Sequence, residues 1–152
     1  MEHMDNKLVV TRVVNVSIER VWTAFTDSKE LKKWFSPEQM STPEAKSELR
    51  AGGAFMVTMQ NDDDKKTFSA RGNYQTVEDQ RKLELSWKWD GQDSEQTSLM
   101  VEFRKVSDRK TEVTLTHSGF TSKESKDSHN KGWESTFNKL EKYLKQSSKV
   151  RA

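Results

Sequence analysis

"THSGFTSKESKDSHNKGWESTFNKLEKYLK", residues 116–145, changes character halfway along. Trp133, Phe137, Leu140 and Leu144 recur at spacings of 4, 3 and 4, one apolar stripe on a 3.6-residue period. The spacing predicts a helix from about Lys123 to Gln146. Continued backward, the stripe reaches His129, Lys126 and Ser122, so the first half of the helix offers polar groups where the second half offers core. Gly132 sits beside the transition. A glycine there costs a helix about 1 kcal/mol relative to alanine and permits a close approach or a bend.

A helix apolar on one stripe needs an apolar surface to lie on, and the middle of the chain supplies one. From about residue 44 the period changes to two. "KSELR", "AGG" and "AFMVTMQ" read as strand, tight turn and strand, with Gly52 and Gly53 providing positive φ. "TFSARGNYQTV", "KLELSWKW", "TSLMVEFRKV" and "TEVTLTHSG" follow, joined by short polar connections that suit antiparallel neighbours. Alternation puts Phe55, Val57 and Met59 in one row, then Phe68, Ala70, Gly72 and Tyr74 in another. Leu83, Leu85, Trp87 and Trp89 make a third row, Leu99, Val101 and Phe103 a fourth, and Val113, Leu115 and His117 a fifth. The opposite phase carries Glu84, Lys88, Glu102, Arg104 and Glu112. Such a sheet has one wet face and one face that the last helix must cover.

Upstream, "KLVVTRVVNVS" reads as a strand. Ser17 then caps a short helix with Val21, Trp22 and Phe25 on one side. Asp27, with Glu30 three positions on, opens a second short helix as a carboxylate form of the capping box, and Pro37 ends it. The expected architecture is α+β: an antiparallel sheet covered on one face by a long C-terminal helix, with two short helices after the first strand. One domain over residues 1–152 is expected, its core at about 8–146 and its ends, 1–6 and 147–152, flexible.

Composition narrows the function. Leu, Ile, Val and Phe number only 29 of 152, a lean aliphatic complement to which five tryptophans add large buried area. Net charge is +2 from 26 basic and 24 acidic residues, spread along the chain, which gives nucleic-acid binding no support. No stretch approaches the roughly 20 apolar residues of a membrane span. With no cysteine there is neither a disulfide framework nor thiol chemistry, and a cytoplasmic setting is expected. "MEHM" reads as part cloning remnant with the native start at Met4, so His3 is left out of any site.

In order and spacing, "VTRVVNVSIERVWTAFTDSKELKKWF", "LRAGGAF", "ARGNY", "LELSWKW", "TEVTLTHSGF" and "KGWESTFNKLEKYL" resemble the Hsp90 ATPase activator homologues. Those are relatives of the activator's C-terminal domain within the START/Bet v 1-like (SRPBCC) superfamily. The resemblance runs over roughly residues 8–145 and implies a helix-grip fold, a curved antiparallel sheet wrapped around the long C-terminal helix, with a cavity between them. The eukaryotic activator has an additional N-terminal domain that carries much of its Hsp90 binding. Nothing in these residues corresponds to it, so only weak stimulation of Hsp90 is expected.

The chemistry-bearing residues point to binding. His117 has the inward phase of the last strand, as either a buried hydrogen-bonded histidine or a polar anchor for a ligand. His129 projects to the cavity mouth. Two histidines 12 residues apart with no cysteine give no metal framework, and no cofactor is expected. No G-x-S-x-G elbow, carboxylate pair or phosphate loop is recognisable, and Asp62–Asp64 lacks calcium-loop spacing. The expected activity is non-catalytic binding of an apolar or aromatic small molecule. Its wall would comprise Trp22, Phe55, Val57, Tyr74, Trp87, Trp89, Val101, His117, Trp133 and Phe137, with His129 at the rim. A protein-interaction module, or a partner of the Hsp90 chaperone, is the alternative. An enzyme of the cyclase/aromatase type using the same cavity is the second alternative, with only His117 and Tyr74 to serve it.

Overall fold

The computed structural model describes residues 6–91 and 95–150. The expectations for Met1 to Asp5, for residues 92–94 within the polar connection and for the last two residues lie outside that range. Strand β1 (Lys7–Val14) leads into helices α1 (Ile18–Thr26) and α2 (Ser28–Trp34). Six strands follow: β2 (Met40–Ser47), β3 (Ala54–Asn61), β4 (Thr67–Glu78), β5 (Lys82–Trp89), β6 (Gln96–Ser107) and β7 (Lys110–Ser118). Helix α3 (Lys123–Val150) closes the chain, running past the expected end at Gln146. The sheet is antiparallel throughout, in the order β1-β7-β6-β5-β4-β3-β2, so the first strand pairs with the last. It curls around α3 in the helix-grip arrangement.

The inward rows bury as their alternation demands. Leu83, Leu85 and Trp87, then Leu99, Val101 and Phe103, then Val113, Leu115 and His117 are all at most 5% exposed. Trp133, Phe137, Leu140 and Leu144 of α3 meet them, also at most 5% exposed. The short helices plug the end of the grip beneath the C-terminal half of α3. There Phe25 stands edge-on to Trp34, Phe103 and Phe137. The Trp34 indole donates to Ala24 O at 2.9 Å, locking α2 against α1.

Local signals hold with three corrections. Ser17 and Asp27 cap their helices, accepting from Arg20 N and Lys29 N. Glu30 does not complete a capping box: its Oε1 accepts instead from Arg20 Nη1 at 2.7 Å and Tyr143 OH at 2.8 Å, tying both short helices to α3. Of Gly52 and Gly53, the first alone has positive φ, +83°. Gly53 is required for space, since a Cβ there would lie 2.0 Å from Glu48 O. Strand β2 starts at Met40, earlier than its alternation suggests. It runs through Pro43 with a register shift between Ser41 and Glu44, which a sheet edge tolerates because no ladder donor is needed on the open side.

Candidate functional site

The N-terminal half of α3 lacks the apolar stripe, and the helix stands off the sheet there. A cleft of about 350 Å³, open on one side, lies in the gap. Its floor comes from the sheet: Met59 of β3, Phe68 of β4, and Trp87 and Trp89 of β5. Its roof comes from α3 through His129, Gly132, Trp133 and Thr136. Pro37, on the connection from α2 to β2, and Met40, the first residue of β2, make one rim. That connection is fastened to the polar side of α3. Lys139 Nζ donates to Met40 O at 2.7 Å and Ser36 Oγ at 2.8 Å, and Ser135 Oγ accepts from Glu38 N at 2.8 Å. Burial holds the Lys139 ammonium below its ordinary pKa.

Gly132 explains part of the opening. A Cβ built there meets nothing within 4 Å, so no neighbour forces a glycine at this position. Alanine would suit the helix better. What the missing side chain leaves is volume in the roof of the cleft.

Both histidines have their ring nitrogens engaged by the protein. Trp133 Nε1–H, which can only donate, reaches His117 Nδ1 at 3.0 Å. In the neutral ring His117 Nε2–H therefore donates to Thr97 Oγ1, 2.6 Å away, and the Thr97 hydroxyl donates to Trp87 O at 3.1 Å. His117 is fully buried, and burial, aided by the neighbouring His129, pushes its pKa down to about 3. Trp89 Nε1–H donates to His129 Nε2 at 3.0 Å, leaving His129 Nδ1–H for Ser125 O at 2.8 Å. The two imidazoles meet edge to face, centroids 5.1 Å apart.

Beside this pair Glu95 receives Thr121 N at 2.7 Å, Thr121 Oγ1 at 2.6 Å and the Ser125 hydroxyl. Burial would raise the Glu95 carboxyl, but the hydrogen bonds from Ser125 and Thr121 outweigh it and hold the group below its ordinary value. No group of three or more His, Cys, Asp or Glu among the described residues could hold a metal ion. No helix among them is long and apolar enough to cross a membrane.

A long helix gripped by a curled sheet has counterparts among known proteins. The family model for Activator of Hsp90 ATPase homolog 1-like protein matches residues 15–145. The chain belongs to this family. Solved structures share the fold over nearly their whole length. A protein from Chromobacterium violaceum is 19% identical with a TM-score of 0.83, covering 92% of this chain and 97% of its own. An AHSA1 protein from Silicibacter pomeroyi is 20% identical at 0.83, covering 93% and 99%. A protein from Nitrosomonas europaea is 24% identical at 0.79, covering 97% and 99%. No curated protein matches the chain.

In this family member the expected wall divides. Trp87, Trp89, His129 and Trp133 come together at the cleft. Phe55 and Tyr74 stand behind Trp87, with Phe55 6.3 Å from Trp87 and 5.9 Å from Tyr74, whose hydroxyl is bonded to Ser47 Oγ at 2.7 Å. Val57, Val101 and Phe137 lie in the closed core, and Trp22 packs edge-on against Phe103 at 5.2 Å beneath the other end of α3. His117 lies below Trp133 and supports it. Met59 and Phe68 carried the inward phase and were readable as wall. Pro37, Met40 and Glu95, in or beside connections, had no periodic signal.

Proposed function

We propose that the cleft under the N-terminal half of α3 binds an apolar or aromatic small molecule without transforming it. The observation that carries this reading is an apolar, tryptophan-floored cleft of about 350 Å³, widened by a helix glycine with no packing reason to be there. A volume in the range of small-molecule sites, with aromatic walls and few polar atoms, suits a ligand held by burial. The non-catalytic part is supported by the histidines: each has both nitrogens committed to protein partners, leaving neither ring free to move a proton.

The test is an NMR titration with naphthalene-sized aromatic molecules, run on the wild type and on Gly132→Leu. Saturable shifts should centre on Trp89, His129 and Trp133, and Gly132→Leu, which fills the roof, should abolish them while the fold persists. Shifts clustered on the charged outer face, or unchanged by Gly132→Leu, would replace this reading with a surface-interaction module.

A further inference from the structure

The apolar cleft has a polar neighbour. A second depression of about 330 Å³ shares Trp87, Trp89 and His129 with it, so these three residues form the wall between the two. The rest of its lining is Glu95, Thr97, Thr121, Ser122 and Ser125.

The tryptophans differ in what their indole donors do. Trp34, Trp89 and Trp133 donate to Ala24 O, His129 Nε2 and His117 Nδ1. Trp87, only 1% exposed, has no hydrogen-bond partner for Nε1 among the described residues. Buried donors are nearly always paired, because an unpaired one has given up its water for nothing. The neighbouring rings offer little in exchange. Trp89 stands edge-on at 5.5 Å and His117 at 5.9 Å, and an N–H···π contact is a second-order interaction.

We propose that the ligand carries a neutral hydrogen-bond acceptor, a ketone, ester or amide carbonyl, which takes the Trp87 Nε1–H at the wall between the clefts. This rests on the reading of the apolar cleft as a ligand site. Trp87 is then the specificity-determining residue, and the ligand's polar end lodges at the wall while its apolar body fills the first cleft. Charge selects the neutral form. Neither cleft is lined by Lys or Arg, and the charged residue at the second is Glu95, held ionised by its hydrogen bonds. A carboxylate at the wall would find no cation and one like charge.

Three probes matched in ring position test this: acetylnaphthalene, isopropylnaphthalene and naphthoate. Each is titrated into isotope-labelled protein while the indole N–H signals are followed, that of Trp87 being assigned by its loss in Trp87→Phe. The ketone should bind about tenfold tighter than the hydrocarbon and move the Trp87 signal downfield, with naphthoate weakest. In Trp87→Phe the ketone and the hydrocarbon should bind alike. Equal binding of these two to the wild type, with the Trp87 signal unmoved, overturns the acceptor proposal and leaves the cleft as a ligand site. Naphthoate binding as tightly as the ketone overturns it too. If no probe binds, the cleft reading falls with it. If Trp87→Phe does not fold, the Trp87 indole signal is assigned from through-bond correlations in the wild type, and the probe series on the wild type decides the matter.

Discussion

His117 shows how one residue can be legible in position and hidden in role. Its place in the row with Val113 and Leu115 follows from alternation alone, and it is fully buried. Which partners consume its nitrogens does not follow from alternation, because Trp133 arrives from α3 and Thr97 from β6, through tertiary packing. The outcome is a neutral imidazole with one donor and one acceptor satisfied, whose pKa burial pushes down to about 3. The unfolded chain binds that proton near pH 6.5 and the folded chain does not. The contribution is therefore intact above about pH 6.5 and is lost progressively as pH falls towards the folded value. Between about pH 7.5 and 5.5 the wild type should lose about 1 kcal/mol more stability than His117→Gln, which cannot titrate. Urea unfolding at both pH values measures it, and equal losses in the two proteins would mean that the buried imidazole accepts a proton.

At the scale of elements, α3 has two halves with opposite tasks, and the residues at their junction separate them. Trp133 is the first of the buried stripe, touching Phe35 and Trp87 at 5.5 Å each, and its indole is the donor to His117. Trp133→Ala should cost about 3–5 kcal/mol, the range for removing a large buried aromatic, because it opens a void and unpairs His117 Nδ1. A loss within about 0.5 kcal/mol in urea unfolding would place Trp133 outside the core. Gly132, its neighbour, should behave oppositely. With nothing within 4 Å of a Cβ, Gly132→Ala should stabilise the protein by up to about 1 kcal/mol through helix propensity. A decrease would show that the site needs the glycine backbone and not merely its volume. Helix, strands and caps were legible because each is written in a local period or a capping residue. The start of β2 was not, since Pro43 and a register shift break its alternation. Glu30 could not reveal that it serves Arg20 and Tyr143, because Tyr143 lies on the distant α3.

For the whole molecule, alternation assigned the inward face of the sheet but could not divide it between core and cleft. That division depends on which half of α3 lies above each row. Val101 and Trp22 lie with the closed core, whereas Trp87 and Trp89 come under the polar half and line the cleft. The same geometry bears on what the family name implies for this chain. Docking on a large partner ordinarily buries about 1,200–2,000 Å² around an apolar centre. Among the described residues the exposed large hydrophobics are Val9, Val13, Leu49, Phe68 and Val106, on four different parts of the structure. Phe68 belongs to the cleft, Leu49 to the turn after β2 and Val106 to the end of β6, while Val9 and Val13 lie on the edge strand β1. Around them the outward phase carries ion pairs such as Arg71–Asp90 and Arg104–Glu112. Among the described residues these scattered apolar side chains, set among paired charges, form no apolar centre of the kind such docking uses. The chain should therefore raise the steady-state ATPase rate of a cognate Hsp90 weakly at most. Strong activation at stoichiometric protein would locate a docking surface among the charged residues of the outer sheet. In that event charge reversal at Arg104 and Glu112 should reduce activation and leave binding in the cleft intact, because both side chains lie on the face opposite α3.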